Sequence, residues 1–168
     1  MSRGRGYFLT SALCLVFLLS GCTVWKNKNT DRAADKPSTV RLTLLAEPDI
    51  NPNEKGEPAP TEIAVVYLSE DSKLLAADYD QLGSEMLKKT LSKNYIDHQE
   101  YTLLPNQYKP LSPVELEGKN NYLGVIAYYA DANRSEWKKI IKINSVGYRY
   151  GVLIHVRAND IDLRKEEE

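Results

Sequence analysis

Cysteine is nearly absent from this sequence. Cys14 and Cys22 are the only two, so everything after residue 22 must fold without a disulfide and hold together by its core. A single domain of this length can do so. Histidine is equally scarce. His98 and His155 have no cysteine or second histidine at ligand spacing, which excludes the usual zinc patterns. The longest apolar run, residues 8–19, is interrupted by Thr10 and Ser11 and falls short of the ~20 residues that a membrane-spanning helix needs. Positive charge is not in excess either. The net charge is −1, and because Arg3 and Arg5 precede Cys22, the remainder carries 20 basic against 23 acidic residues. That balance offers no basic field for nucleic acid and no polybasic patch for anionic lipid. Glycine-rich phosphate loops and the Gly-x-Ser-x-Gly nucleophile pattern are also missing.

What is present starts at the amino terminus. A positive start at Arg3 and Arg5, an apolar core over residues 8–19 and the small pair Ser20-Gly21 compose a secretory signal. The stretch Leu19-Ser20-Gly21-Cys22 resembles the lipobox of bacterial lipoproteins, whose cysteine is acylated and becomes the first residue of the mature chain. The resemblance implies that residues 1–21 are removed and that Cys22 carries lipid, with no other cofactor. Thr23, where an aspartate would retain the protein at the inner membrane, implies an outer-membrane address facing the periplasm. One acyl chain binds a bilayer only reversibly; the three typical of bacterial lipoproteins make detachment negligible. Residues 23–38 are polar and aperiodic and complete, with Cys22, a tether over 22–38. As a coil, those sixteen residues span roughly 20 Å, too little to cross a periplasm.

The body of the chain, residues 39–160, reads as a β domain. Val40, Leu42, Leu44 and Ala46 alternate with polar neighbours at the period of a half-buried strand. Residues 48–60 follow as a long loop stiffened by four prolines. Residues 61–68 are apolar on both faces and need cover on both. The expected cover is a helical insertion over 69–93 in short pieces, with Ser84 as an N-cap for a helix over 85–92. Further strands are expected over 99–104, 108–116, 122–130, 137–143 and 148–157. Pro110 and Pro113 confine the second of these to an edge. Gly124 marks a bulge or a close contact, Asn144-Ser145-Val146-Gly147 a hairpin turn, and residues 161–168 a charged tail, frayed from Arg164 on. About seven short strands with turns between them predict an all-β-dominated chain forming a two-sheet β-sandwich.

Candidate chemistry is thin. Asp49, Asn51 and Asn53 alternate like a calcium loop, but Glu54 stands where the glycine belongs and Pro60 where the final glutamate belongs. Glu115 and Glu117 sit beside prolines, as a solvated edge does. By subtraction the chain is a binding or assembly module rather than an enzyme. Exposed aromatics in a groove would instead mark a pilotin-like or peptidoglycan-binding lipoprotein; Tyr129 and Trp137 are the candidates, with core packing the favoured reading of both.

An ordered set of segments sharpens this. It comprises Ile50-Asn51-Pro52-Asn53 with Gly56, Pro58 and Pro60; Val65-Val66-Tyr67-Leu68; Leu74-Leu75-Ala76-Ala77-Asp78-Tyr79 with Leu82; Leu103-Leu104-Pro105; Tyr122-Leu123-Gly124-Val125-Ile126-Ala127-Tyr128-Tyr129; and Trp137. Behind a lipobox, the set resembles the outer-membrane lipoproteins of type VI secretion systems, the TssJ family, over most of residues 40–156. Asn106 after Pro105 and Lys138 after Trp137 depart from the family, where glycine and arginine are usual. The resemblance implies a transthyretin-like sandwich. It also implies a role in anchoring the periplasmic C-terminal domain of the inner-membrane protein TssM and, through it, TssL. The contact surface it implies is the loop between the first two strands: Ile50, Asn51, Pro52, Asn53, Glu54, Lys55, Gly56, Glu57 and Pro58. Its prolines limit the freedom lost on docking, and Ile50 is expected to serve as an apolar anchor.

Overall fold

The computed structural model describes residues 36–168; the signal, Cys22 and nearly all of the expected tether lie outside the described residues. Strands β1 (Thr39–Ala46) and β2 (Thr61–Leu68) come first. A helical segment follows with α1 (Ser72–Ala76) and α2 (Leu87–Leu91). Then come β3 (Tyr95–Leu103), β4 (Tyr108–Pro110), β5 (Val114–Glu115), β6 (Tyr122–Ala127), β7 (Lys138–Lys142), β8 (Arg149–Val156) and β9 (Ile161–Glu167). One sheet runs β4-β1-β8-β9, with β5 continuing the β4 edge along β1; the other runs β3-β2-β6-β7. The strands form a two-sheet β-sandwich.

Period-two patterning builds the core between the sheets. Val40, Leu42, Leu44 and Ala46 of β1 and Tyr150, Val152, Ile154 and Val156 of β8 point inward. They meet Ile63, Val65 and Tyr67 of β2 and Leu123, Val125 and Ala127 of β6. The parallel pair β1–β8 holds these two rows in register from Thr39↔Arg149 to Ala46↔Val156.

The outer face of β2 is apolar as well, and the helical segment covers it. Leu74, Ala77, Leu82, Leu87 and Leu91 bury Ala64, Val66, Leu68 and Ile126 in a second cluster. Fully burying a leucine side chain contributes roughly 1.5–3 kcal/mol, so this cover is a second core rather than an ornament. Gly124 lets the cover approach. A methyl built there would overlap Cδ2 of Leu74 outright. The register of β6 against β2 runs through Gly124 without a break, so the glycine marks a close contact and not a bulge.

Several expectations need correction. The charged tail over 161–168, expected to fray from Arg164 on, is β9, paired with β8 from Tyr150↔Glu167 to Val156↔Ile161, and Ile161 is buried. Only Ile161 and Leu163 supply apolar anchoring; backbone pairing with β8 does the rest, which a charge run conceals. Residues 144–147 are no hairpin, because β7 and β8 belong to different sheets. Periodicity identifies a strand, not its partner. The helix expected over 85–92 is a 3-10 turn, Ser84–Met86, followed by α2; Gly83 occupies the N-cap position and Ser84 makes no capping bond. The third strand begins four residues earlier than expected, and the edge expected over 108–116 divides into β4 and β5 at its prolines.

Candidate functional site: the braced loop and its cleft

The β1–β2 connection carries the residues singled out from the sequence, and the structure divides them into two groups. Ile50 is fully buried in the inter-sheet core, so it is no exposed anchor; the expectation that it presents apolar surface is corrected. Asn51 is turned inward too. Its Nδ2 donates to the Pro60 carbonyl at 2.9 Å, and its Oδ1 accepts from the Ala130 amide at 2.8 Å. Its own amide donates to the Ala158 carbonyl at 3.0 Å. With φ of +47°, Asn51 sits in the left-handed region that asparagine tolerates better than most residues. Ile50 and Asn51 are therefore the footing of the loop.

Pro52, Asn53, Glu54, Lys55, Gly56, Glu57 and Pro58 are exposed. They are not slack. Asn53 Oδ1 accepts from the amides of Lys55 (2.9 Å) and Glu57 (3.0 Å), while its Nδ2 donates to the Glu57 carboxylate at 3.0 Å. The Asn53 amide donates to Glu57 O, and the Gly56 amide donates back to Asn53 O. Gly56 takes φ of +77°, a conformation glycine adopts without steric cost. The tip is thus a self-bonded turn around one asparagine, flanked by prolines. The two asparagines that imitate a calcium loop spend their oxygens on backbone amides instead. Among the described residues there is no group of three or more His, Cys, Asp or Glu able to hold a metal.

Beside the tip lies a cleft of about 300 Å³. Asn51, Pro52, Asn53, Glu54 and Gly56 line one wall; Tyr129, Asp131, Arg134 and Ser135 after β6, with Ala158 and Asn159 of the β8–β9 turn, line the rest. Tyr129 is buried, and its hydroxyl lies 2.6 Å from the Asp160 carbonyl and 3.0 Å from that of Arg157. Burial pushes its phenol well above the ordinary tyrosine range. The sequence favours core packing for Tyr129 over exposure in a groove, and the ring is buried, its hydroxyl bracing the β8–β9 turn. Trp137 packs edge-on against Tyr79 at 5.1 Å and serves both cores. The walls formed by residues 131–135 and 158–159 were missed. A turn after a strong strand was visible, but which loops share one pole depends on sheet topology.

Charges ring this pole. Glu47, where β1 gives way to the loop, lies 3.0 Å from His155 Nε2 and 3.9 Å from Arg157 Nε, and Arg157 reaches on to Asp160 and Asp162. Half-exposed pairs of this kind contribute little stability one by one. They do fix the rim beside the tip. Within the cleft the Ser135 hydroxyl donates to the Asp131 backbone carbonyl at 2.6 Å. The cleft's rigid, polar rim suits recognition of another surface.

Asn51 and Asn53 hold the β1–β2 loop at one pole of a two-sheet β-sandwich. The chain belongs to the family described as Type VI secretion lipoprotein, VasD, EvfM, TssJ, VC_A0113, whose model matches residues 38–159. The T6SS lipoprotein TssJ1 from Pseudomonas aeruginosa is similar at a TM-score of 0.72 and 25% identity, over 77% of this chain and 97% of that one. Lip from Serratia marcescens, a membrane bound component of the Type VI Secretion System, gives 0.68 and 21% over 75% and 96%. A chain in the structure of the T6SS protein TssM C-terminal domain from EAEC gives 0.63 and 20% over 74% and 99%; at that identity the likeness is one of fold. No curated protein sequence matches.

Proposed function

We propose that this type VI secretion lipoprotein is held by lipid on Cys22 in the periplasmic leaflet of the outer membrane. There it clamps the periplasmic C-terminal domain of TssM, and through TssM the TssL-containing inner-membrane assembly. The exposed tip from Pro52 to Pro58 and the adjoining cleft form the contact, and Ile50 and Asn51 set its position from beneath. The observation that carries this reading is the bracing of the tip. Bonded through Asn53 and footed on Asn51, it has little conformational freedom left to lose on association. The family to which the chain belongs supplies the setting.

The test leaves the footing alone. Glu54→Lys with Lys55→Glu inverts the charges of the tip while sparing Asn51, Asn53 and the Glu57 carboxylate to which Asn53 Nδ2 donates. Binding of the lipidated chain to the purified periplasmic domain of TssM should weaken at least about tenfold, or ~1.4 kcal/mol. Unchanged affinity in a variant with an unchanged melting temperature would remove the tip from the interface. Capture of purified cell wall in place of TssM would favour the peptidoglycan-binding alternative.

A further inference from the structure

The first described residues leave the sandwich at the pole opposite the braced loop. β1 starts at Thr39 and reaches the loop after Ala46, and eight residues of strand span about 26 Å. At the starting pole the chain is clipped down. The Gly147 amide donates to Lys36 O, Pro37 bridges to Val146, and Ser38 Oγ accepts from the Tyr148 amide at 2.9 Å. The clip displays apolar surface at the point of exit. Val146 and Tyr148 are 44% and 41% exposed, two of only six large hydrophobic residues so exposed among the described residues. Tyr148 is held in place, its ring stacked on buried Tyr150 at 5.5 Å and 9°. Gly147 between them has φ of +89°, which fixes the turn that carries both.

We propose that this pole rests in the headgroup layer of the bilayer to which the chain is anchored, with Val146 and Tyr148 as its interfacial contacts, so that the braced loop faces away from the membrane. The inference rests on the lipid anchor at Cys22. Thirteen residues separate Cys22 from Lys36, and even fully extended the fourteen Cα–Cα steps reach no further than about 50 Å. They join the domain at this pole, so it is the part of the sandwich the anchor draws nearest to the lipid. An aromatic ring with a polar tip beside an aliphatic side chain suits the boundary between headgroups and acyl chains. Charge does not drive the contact. Lys36, Lys119 and Arg149 share this end with Glu115, Glu117 and Glu167, and all six are exposed. The docking is therefore expected to be insensitive to salt and to the fraction of anionic lipid, and to set orientation rather than membrane affinity.

The experiment uses the full lipidated chain in nanodiscs of phosphatidylethanolamine and phosphatidylglycerol. With Cys22 acylated and Cys14 removed with the signal, one introduced cysteine can carry a nitroxide. A label at Val146→Cys or Lys119→Cys should be several-fold more accessible to oxygen, relative to a water-soluble nickel chelate, than one at Glu54→Cys. Adding Val146→Ser and Tyr148→Ser to the Lys119→Cys chain should lower its ratio to that of the Glu54 label. With acylation verified by mass spectrometry, equal ratios at Val146 and Glu54 would overturn this orientation and leave the anchor standing. An unmodified Cys22 would overturn both.

Discussion

The Oδ1 atom of Asn51 accepts from the amide of Ala130 at 2.8 Å, joining the loop after β1 to the segment after β6, 79 residues further on. Nδ2 of the same Asn51 side chain donates to Pro60 O, so one side chain closes the loop on itself and ties it to a neighbour. Asn51→Ala leaves the Ala130 amide and the Pro60 carbonyl without these partners at a mostly buried site, at a cost of about 1–3 kcal/mol. Asn51→Gly relieves the positive φ but not the lost bonds, so it should fall between wild type and alanine in urea unfolding. Hydrogen exchange should show the Ala130 amide losing protection in both variants. A wild-type midpoint for Asn51→Ala would refute the footing role.

Gly124 and Leu74 form a second dependent pair. A side chain at 124 drives into Leu74 at the centre of the outer cluster, where neither can retreat into solvent. Gly124→Ala should cost about 1–3 kcal/mol by overpacking. Leu74→Ala alone should cost about 2–5 kcal/mol by leaving a cavity. Because the new methyl at 124 occupies part of that cavity, the double variant should be more stable than the two losses added together. Additive losses would mean that the helical cover shifts rather than packs.

Lys138 holds the same cover from its rim. Its ammonium donates to the carbonyls of Leu74 (2.9 Å), Leu75 (2.8 Å) and Ala77 (2.7 Å), where α1 ends and its last carbonyls lack helical partners. Partial burial lowers the lysine's pKa, and the nearby Asp78 carboxylate partly restores it. Lys138→Met keeps much of the stem and removes all three donors. Protection from hydrogen exchange over residues 72–82 should then fall before global unfolding, with a cost of about 1–3 kcal/mol. Uniform loss across both sheets would show that the insertion is not a separately opening unit.

Legibility in the sequence follows the range of the interactions. Alternation is local, so the inward rows of β1 and β8 and the two-faced apolar character of β2 could be read directly, and the need to cover β2 located the helical insertion. Gly124 could be flagged but not explained, because its neighbour Leu74 is fifty residues away. Ile50 shows the opposite failure: an apolar residue among prolines and asparagines reads as an exposed anchor until topology places it under the sheet. Asn51 misleads in the same way, since a side chain that hydrogen-bonds distant backbone looks no different from one offered to a partner. β9 was hidden because its pairing is made by backbone, which leaves no signature in Arg164, Lys165, Glu166 and Glu167. The cleft joins three loops that are consecutive in space only.

Buried tyrosines give the fold an alkaline limit. Burial raises the Tyr67 phenol from 10.0 to about 12, helped by Tyr101 and by the Asp97 carboxylate, and pushes Tyr128 and Tyr129 up as well. A phenol held protonated in the native state adds its full contribution below the unfolded pKa of 10.0. Above that pH the unfolded chain loses its proton first, so stability falls as pH rises towards the folded pKa. For one such group the slope approaches about 1.4 kcal/mol per pH unit within the window. Urea midpoints measured from about pH 9 to 12 should be flat at first and then fall steeply. Tyr67→Phe removes one titrating group and should make that fall shallower, with the remaining slope set by the other tyrosines whose phenols burial raises, among them Tyr128 and Tyr129. If the wild type and Tyr67→Phe decline in parallel, Tyr67 ionises no later in the folded protein than in the unfolded chain, and its burial does not guard its proton.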